Sequence, residues 1–222
     1  MKHEELKNKK YLLFDLDGTL TDSQEGIFNC FRHALETLGE DIPDDSTMQS
    51  FLGPPLSESF RRIFAGDGKK AADAVRIYRE RYSTVGLFEN RPYEGIDQLL
   101  SGLCGQGYVL AVATSKPEPF SKRILEKFGL AEYFRTVTGC GLDGSLDTKT
   151  EVIEETLRRL GVKDKNEAVM IGDRKHDILG AHEAGLGCIG VYWGFARRGE
   201  LEESGADFIA ESIDGLAELL RK

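Results

Sequence analysis

Short runs of consecutive apolar residues alternate with amphipathic helical segments along most of this chain, and this alternation constrains the fold more than any other feature. Strands that are apolar at successive positions are typical of a parallel sheet buried on both faces. Helical segments between such strands supply the crossovers that a parallel sheet requires, so the sequence predicts an α/β fold with a doubly wound parallel sheet. The predicted strands are residues 11–16, 108–114, 167–172, 188–193 and 207–210, with a weaker one at 134–139, and the predicted helices between them are 95–107, 117–129, 148–161 and 177–185.

One long interval interrupts the alternation, because residues 22–90 contain amphipathic helical runs and no convincing strand. The runs at 25–39, 57–66 and 69–86 are separated by loops that contain proline and glycine, which commonly end helices. An interval of this length is about half of a usual domain. We therefore expect a small all-helical domain inserted into a larger α/β domain. The predicted boundaries are 1–21 and 91–222 for the α/β domain and 22–90 for the helical domain.

Charge and hydropathy exclude some classes of function. The 222 residues carry a net charge of −9 at pH 7, so the chain lacks the basic surplus with which proteins neutralise nucleic-acid phosphates. Its apolar runs are far shorter than a membrane-spanning helix, and its polar beginning lacks the apolar core of a signal peptide. We therefore expect a cytoplasmic protein that binds neither a nucleic-acid polymer nor a membrane. The four scattered cysteines, Cys30, Cys104, Cys140 and Cys188, are expected to be buried free thiols.

Polar residues follow several of the predicted strands. Asp15 ends the first strand and Asp17 comes two residues later, so alternation places both side chains on one face. Two carboxylates this close repel each other unless a cation lies between them. Because ligands of open parallel sheets bind at the carboxyl ends of the strands, we expect the polar residues at these ends to converge. The converging set is Asp15, Asp17, Thr114, Ser115, Lys149, Asp173 and Asp177.

The predicted site combines four carboxylates with two hydroxyls and one lysine, without a histidine or cysteine among the converging residues. Hard oxygen ligands of this kind favour Mg²⁺ over zinc. A metal ion, a lysine and hydroxyl donors together match the oxygens of a phosphoryl group. The expected ligands are therefore Mg²⁺ and a small phosphorylated metabolite.

Four motifs, in order along the chain, resemble those of the haloacid-dehalogenase-like (HAD) phosphohydrolases. They are DLDGTLTDS at 15–23, VATSK at 112–116, the single Lys149, and IGDRKHD at 171–177. The resemblance covers essentially the whole chain. It implies a Rossmann-like core in which residues 22–90 form a C1-type helical cap.

The resemblance also implies a role for each residue of the site. Asp15 would be the nucleophile that forms an aspartyl-phosphate, and Asp17 would protonate the leaving alcohol and then activate water. Thr114, with Ser115 beside it, and Lys149 would hold the transferring phosphoryl group. The implied metal ligands are the Asp15 side chain, the Asp17 backbone carbonyl, Asp173 and, directly or through water, Asp177.

Other interpretations of single residues stay open at this level. Asp15 and Asp17 also fit a strand-end turn, and Asp173 also fits a cap of the following helix. Lys149 also fits a solvent-exposed lysine in a first helical turn. Lysine is disfavoured at a helix amino end, however, and this favours an anionic partner for Lys149.

The inserted domain is expected to select the substrate, because the resemblance implies that the cap closes over the site. The segment FLGPPLSESF at 51–60 is the expected cap loop, and Arg61 and Arg62 follow it. With the motifs, this segment resembles the phosphoglycolate-phosphatase-like proteins described as bacterial 5′-nucleotidases. Ordinary phosphoglycolate phosphatases more often read Thr-Asn-Lys where this chain has Thr-Ser-Lys at 114–116. The candidate specificity residues are Gly53, Pro54, Arg61 and Arg62.

Three functions compete at this level. The first is a phosphomonoester hydrolase of the 5′-nucleotidase or phosphoglycolate phosphatase kind, and the second is a phosphosugar mutase of the β-phosphoglucomutase type on the same scaffold. The third is a phospho-accepting signalling module, a class that lacks both the second aspartate and the helical insert. The motifs favour the hydrolase, and the sequence leaves a monomer and a homodimer both open.

Overall fold

In the computed structural model, which describes residues 3–53 and 56–222, the chain divides into two units. The first unit ends at Thr21 and resumes at Pro92, and the second spans Asp22–Arg91. Within the described residues, no helix has both the length and the apolar character needed to cross a membrane.

A six-stranded sheet lies at the centre of the first unit, and every neighbouring pair of its strands is parallel. With elements numbered in chain order, the strands are β1 Tyr11–Phe14, β4 Val109–Pro117, β5 Phe134–Cys140, β6 Ala168–Gly172, β7 Gly187–Val191 and β8 Phe208–Ala210. Their order in the sheet is β5-β4-β1-β6-β7-β8, so strands that follow each other in the chain are often not neighbours and need crossovers. This architecture confirms the predicted α/β fold, and the six predicted strands are all present.

The register of β1 explains why the strand ends coincide. Its last residue, Phe14, lies opposite Val112 of β4 on one side and Ile171 of β6 on the other. The interior of β1 is fully buried at Leu12 and Leu13, as the continuous apolar run predicts. Residues that follow these three strands therefore reach the same edge of the sheet.

The helices of the first unit begin and end near the residues that capping rules indicate. At the start of α8, which spans Lys149–Leu160, the Thr148 hydroxyl accepts from the Glu151 N–H, and the Glu151 side chain accepts from the Thr148 N–H. The helix ends before Gly161, whose φ of 67° lies in the left-handed region that favours glycine. The helices are α1 His3–Lys7, α6 Ile96–Gly105, α7 Glu118–Lys127, α8 Lys149–Leu160, α9 Lys175–Glu183, α10 Glu200–Glu203 and α11 Ile213–Leu219.

An aromatic cluster forms the core of the second unit. The Phe31 ring centroid lies 5.1 Å from that of Phe51, 4.8 Å from that of Phe60 and 5.2 Å from that of Tyr78. Aromatic pairs at these distances stabilise a core beyond the area that they bury. The elements are α2 Gln24–Thr37, α3 Asp45–Gln49, α4 Leu56–Ile63 and α5 Gly68–Thr84, and the short strands β2 Thr21–Asp22 and β3 Arg91–Pro92 pair with each other at its ends.

The expectation for the cysteines is half wrong. None of the four forms a disulfide, but only Cys30 and Cys188 are buried, whereas Cys104 is exposed and Cys140 is half-buried. Cys104 lies in the last turn of α6, whose buried face is taken by leucines, so the thiol lies off that face. The leucines are Leu99, Leu100 and Leu103.

Candidate active site

Three buried carboxylates meet at the carboxyl ends of β1 and β6. Asp15 follows β1, and its N–H donates to the Ile171 carbonyl at 2.9 Å, which extends the β1–β6 ladder by one residue. Asp173 follows β6, and Asp177 lies in the first turn of α9. Their exposed fractions are 8%, 0% and 1%, and each offers one oxygen within 4.8 Å of the others. The structure thus brings these three predicted site residues into one cluster that could hold a metal ion.

Lys149 is the buried cation of this cluster. It is the first residue of α8, and its Nζ lies 2.7 Å from Asp15 Oδ1 and 2.7 Å from Asp177 Oδ1. The same group donates to the Ala113 carbonyl at 3.0 Å, so three acceptors match the three protons of the ammonium. The interpretation of Lys149 as a solvent-exposed lysine is therefore wrong. Its carboxylate partners offset the unfavourable placement of a lysine at a helix amino end.

The charges of the cluster are out of balance, with three carboxylates against one lysine. Burial raises the pKa of Asp177 to about 6 against the opposing charge of Lys149, and the Asp15 charge adds to the rise. Burial also raises the pKa of Asp173 well above its ordinary value, with further contributions from Asp177 and Asp15. Burial opposes the charge of Lys149, but the two neighbouring carboxylates outweigh burial and raise the Lys149 pKa. The excess of carboxylates favours the binding of a further cation.

Hydrogen bonds fix the two carboxylates of the segment between β6 and α9. Asp173 accepts from the Thr19 hydroxyl at 3.1 Å and from the Phe195 N–H at 2.7 Å. Asp177 accepts from the N–H of Arg174 at 3.0 Å, and Arg174 is the N-cap residue of α9. The alternative in which Asp173 caps this helix is therefore wrong.

The second aspartate of the opening motif has its own partner. Asp17 Oδ2 lies 2.7 Å from Lys116 Nζ, whereas Asp17 Oδ1 is buried and has no hydrogen-bond partner among the described residues. Thr114 is buried at the carboxyl end of β4, and its hydroxyl accepts from the Lys116 N–H at 3.2 Å. Ser115 is exposed. The ion pairs of Asp15 with Lys149 and of Asp17 with Lys116 distinguish both aspartates from ordinary turn residues.

Two glycines permit the close packing of backbone segments at the site. Gly18 has a φ of +82°, and a Cβ there would lie 2.2 Å from Asp173 Oδ2. A Cβ at Gly194 would lie 2.1 Å from the Gly18 carbonyl oxygen and 2.5 Å from Asp173 Cβ. These distances are far below van der Waals contact, so a larger residue at either position would displace the Asp173 carboxylate.

The segment after β7 belongs to the site, although sequence reasoning missed it. Trp193 Nε1 donates to the Thr19 carbonyl at 3.0 Å. Glu200 is 7% exposed and accepts from Arg174 Nε at 2.8 Å and from the Lys175 N–H at 3.0 Å. The available signal was the position of this segment directly after a core strand, at the edge where open parallel sheets bind ligands.

The candidate specificity residues belong to the second unit or lie outside the described residues. Arg61 and Arg62 are exposed in the last turn of α4. Gly53 has a φ of +103°, which lies in the left-handed region that favours glycine. Pro54 lies outside the described residues. The role of these four residues in specificity stays a prediction.

Comparison with known proteins identifies the family. A sequence model of haloacid dehalogenase-like hydrolases matches residues 12–191. The chain belongs to this family. The match begins within β1 and ends with β7, so it includes the whole carboxylate cluster and the second unit. The family resemblance of the motifs is thereby confirmed, and with it the assignment of the chain to an enzyme family of hydrolases.

Individual relatives carry different names. A 5′-nucleotidase from Pseudomonas aeruginosa is 45% identical to this chain over 190 residues, which are 86% of this chain and 86% of that protein. The tyrosine-protein kinase PtkA from Mycobacterium tuberculosis is 38% identical over 216 residues, or 96% of this chain and 73% of that protein. The crystal structure of a predicted phosphatase from Clostridium acetobutylicum superposes with a TM-score of 0.89 at 45% identity, and the match covers 95% of this chain and 97% of that one.

Proposed function

We propose that this enzyme is a Mg²⁺-dependent phosphomonoester hydrolase that acts through an aspartyl-phosphate on a small phosphorylated metabolite. The observation that carries the proposal is the buried cluster of Asp15, Asp173 and Asp177, with Lys149 paired to two of the three carboxylates. The cluster lies at the carboxyl ends of parallel strands, where open α/β sheets bind ligands. The 45% identity to a protein named 5′-nucleotidase supports nucleoside 5′-monophosphates as the first substrates to test.

Magnesium fits the donors of the carboxylate cluster. Carboxylate oxygens are the hard ligands that Mg²⁺ prefers, and a divalent cation would offset the burial and the mutual repulsion that raise the pKa values of Asp173 and Asp177. Asp15, Asp173 and the backbone carbonyl of Asp17 would hold the ion, with Asp177 as a ligand directly or through water. When bound, Mg²⁺ supplies positive charge that stabilises the oxygens of the transferring phosphoryl group.

Asp15 and Asp17 both act in each of two chemical steps, the formation and the hydrolysis of the aspartyl-phosphate. In the first step, an Asp15 carboxylate oxygen bonds to phosphorus, the ester bond breaks, and Asp17 gives its proton to the departing alkoxide. In the second step, a water oxygen bonds to phosphorus, the bond to Asp15 breaks, and Asp17 takes a proton from that water. Thr114 would donate a hydrogen bond to a phosphoryl oxygen during both steps, and the charge of Lys149 would help to hold the phosphoryl group.

The position of Lys149 supports Asp15 as the nucleophile. A carboxylate and a phosphate dianion repel each other, and an ammonium 2.7 Å from Asp15 Oδ1 reduces that repulsion. The same ammonium is buried, so its charge is weakly screened by solvent. Asp15 therefore needs no separate base to activate it, since a carboxylate is already ionised.

Substrate selection is proposed to lie in the second unit, at Gly53, Pro54, Arg61 and Arg62. The two arginines are exposed, so both guanidinium groups are accessible to an anionic or hydrogen-bonding part of a ligand. Phosphoglycolate and nucleoside monophosphates differ in the part of the molecule remote from phosphorus. That part is where selectivity must arise, because the phosphoryl group is common to both.

A phosphate-release assay tests the proposal. The purified enzyme is given nucleoside 5′-monophosphates, phosphoglycolate, pyrophosphate and sugar phosphates, with Mg²⁺ or with excess EDTA. We expect phosphate release from at least one monoester, dependent on Mg²⁺ and abolished by Asp15→Asn. Full activity in EDTA would contradict the metal requirement. Isomerisation of a sugar phosphate without net phosphate release would identify a mutase instead, and transfer from ATP to tyrosine would identify a kinase.

A further inference from the structure

We propose that Glu200 is a positioning residue that holds the turn between Asp173 and Asp177 in the geometry that binds the proposed Mg²⁺ ion. The inference rests on the metal-binding part of the proposed function. Glu200 lies outside the four sequence motifs of the site. Its Oε1 atom accepts from Arg174 Nε at 2.8 Å and from the Lys175 N–H at 3.0 Å. Both donors belong to the turn that carries two of the proposed metal ligands.

The backbone at Glu200 is anchored in the core of the first unit. Glu200 is the first residue of α10, and the next residue, Leu201, is fully buried in a hydrophobic cluster that also contains Ile178. A Cβ at Gly190 would lie 3.0 Å from Leu201 Cδ1, so β7 and α10 pack closely. The side chains of Glu200 and Arg174 are 9% and 14% exposed, so water competes weakly for their contact. A buried acceptor on an anchored helix can therefore restrain the turn.

The contacts of Glu200 leave the ligand oxygens of the turn free. Asp173 Oδ2 accepts from the Phe195 N–H at 2.7 Å. Asp177 Oδ1 lies 2.7 Å from Lys149 Nζ. Both of these contacts occupy carboxylate oxygens, whereas Glu200 contacts the turn through a guanidinium group and a backbone amide. Glu200 can therefore hold the turn in the same place before and after a cation binds.

A turn that is already in place raises the affinity for the cation. Oxygens of the three carboxylates in the cluster lie within 4.8 Å of one another, and their like charges repel each other. A loose turn would let Asp173 and Asp177 move apart, and cation binding would then include the cost of bringing them together. Loss of a group that orients metal ligands typically weakens metal binding about 10- to 100-fold. Because Glu200 acts through the backbone of the turn, we expect the lower end of this range.

Three variants separate the position of the turn from the charge of Glu200. Glu200→Met keeps an unbranched side chain of similar length and removes both acceptor oxygens. Glu200→Gln keeps an oxygen that accepts from the same two donors, but it removes the negative charge. Glu203→Met is the matched control, because Glu203 belongs to the same helix and pairs with Arg197, but its side chain is 61% exposed. Thermal unfolding shows that each variant is folded, and Arg174→Met, which removes the charged donor, replaces Glu200→Met if the latter does not fold.

Two measurements on the metal-free protein test the inference. Calorimetric titration with Mg²⁺ gives the Kd, which we expect to rise about tenfold in Glu200→Met and to change less than about threefold in Glu200→Gln and Glu203→Met. Amide hydrogen exchange followed by NMR reports the turn itself. The Arg174 N–H donates to Asp177 Oδ2 at 3.0 Å, and no variant at Glu200 removes that acceptor. This amide should exchange faster in Glu200→Met than in the wild type, because a released turn opens more often.

The outcomes separate this inference from the proposed function. A higher Kd together with faster exchange in Glu200→Met, with both values restored in Glu200→Gln, supports the inference. An equal rise of the Kd in Glu200→Gln would show that Glu200 acts through its charge, and an equal rise in Glu203→Met would show that the effect is not specific. Either result overturns the inference, as does an unchanged Kd or unchanged exchange in Glu200→Met. If the wild type binds Mg²⁺ but releases no phosphate, the hydrolase proposal fails and the Kd values still decide the inference. If the wild type binds no Mg²⁺, both fail.

Discussion

The Lys149 ammonium lies 2.7 Å from Asp177 Oδ1, and both side chains are buried, at 6% and 2% exposure. The two residues belong to different helices, α8 and α9, which must approach closely for this contact. Gly180 of α9 permits the approach, because a Cβ there would lie 2.8 Å from the Cβ and Cγ of Lys149. A helical glycine therefore controls where the buried cation of the site lies.

Gly180→Ala should lower both stability and kcat, because the added methyl group must displace Lys149. Overpacking of this kind costs about 1–3 kcal/mol of unfolding free energy, and a displaced cation should reduce kcat about tenfold or more. Gly102→Ala is the control, since Gly102 is exposed in α6 and a Cβ there meets nothing within 4 Å. It should stabilise the protein by about 0.5–1 kcal/mol and leave kcat unchanged. Urea unfolding measures stability and phosphate release measures kcat. Equal stability and kcat in the two variants would show that Lys149 moves aside without cost.

Substitution of the two neighbouring aspartates should give different kinetic defects. Asp15→Asn replaces the nucleophile with a neutral amide, so turnover and the acid-stable phosphoenzyme should both disappear. Asp17→Asn removes proton transfer, which contributes about 10²–10⁴-fold. With p-nitrophenyl phosphate, this second variant should still form the phosphoenzyme and then stall. Mass spectrometry of acid-quenched protein detects the adduct, and near-normal turnover in Asp15→Asn would show that another group is the nucleophile.

Metal binding should be visible in stability as well as in activity. Mg²⁺ at a concentration 100 times its Kd should add about 2.7 kcal/mol to the unfolding free energy of the wild type. Asp173→Asn should abolish this gain and raise or leave unchanged the Tm of the metal-free protein, because it removes a buried charge that other carboxylates repel. Asp41→Asn, at an exposed carboxylate of the second unit, should keep the full gain. Thermal unfolding with Mg²⁺ and with EDTA measures both, and a gain that persists in Asp173→Asn would place the ion elsewhere.

An ion pair in the second unit should make its stability depend on pH. Arg81 donates to the two Glu89 oxygens at 2.6 and 2.9 Å, and this hydrogen bonding lowers the pKa of Glu89 although burial opposes it. A lowered carboxyl pKa stabilises the folded state above the unfolded-state pKa, and the contribution is lost as the pH falls through the folded-state pKa. We expect the wild type to lose about 1 kcal/mol from this pair as the pH falls from 7 through the lowered pKa of Glu89.

Glu89→Gln should lack this part of the pH dependence and should be less stable than the wild type at pH 7. Glu58→Gln is the control, because Glu58 is an exposed carboxylate of α4 in the same unit. It should retain the wild-type pH dependence. Urea unfolding at pH 7 and pH 3 checks the difference, and an unchanged pH profile in Glu89→Gln would mean that the pair contributes nothing.

The strand ends that form the site could be predicted from the sequence, because the apolar runs at 11–14 and 168–172 each reach an aspartate. The observed end of a strand differs from the predicted one where the backbone turns earlier than the apolar run ends. The strand predicted at 11–16 ends at Phe14, since the Leu16 carbonyl already accepts from the Leu20 and Thr21 N–H groups of the following turn. Lys149 lies 134 residues after Asp15 and contacts it. The sequence predicted this convergence, because the carboxyl ends of the strands in a parallel sheet share one edge.

The remaining parts of the site depend on partners that no local pattern encodes. Between Thr114 and Pro117, β4 bulges and buries Lys116, and this bulge requires the glycine at position 139 of the neighbouring strand. The motif at 112–116 alone therefore did not indicate that Lys116 is buried. The Phe195 amide that fixes Asp173 carries no side-chain signature at all, since any residue supplies an N–H group. The carboxylates at the strand ends were therefore predictable, whereas contacts that depend on a bulge or on a backbone amide were not.

The last prediction concerns substrate selection by the second unit. If Arg61 and Arg62 recognise the part of the substrate remote from phosphorus, Arg61→Ala and Arg62→Ala should change the ratio of kcat/KM between two substrates by about 10–200-fold, or about 1–3 kcal/mol. The effect on Mg²⁺ affinity should be small, because every proposed metal ligand lies in the first unit. Lys149→Met is the contrasting variant and should lower kcat/KM for all substrates by a similar factor, since its partner would be the phosphoryl group that they share. Parallel kinetics on a nucleoside monophosphate and phosphoglycolate give both ratios, and equal losses on the two substrates in the arginine variants would place the selectivity elsewhere.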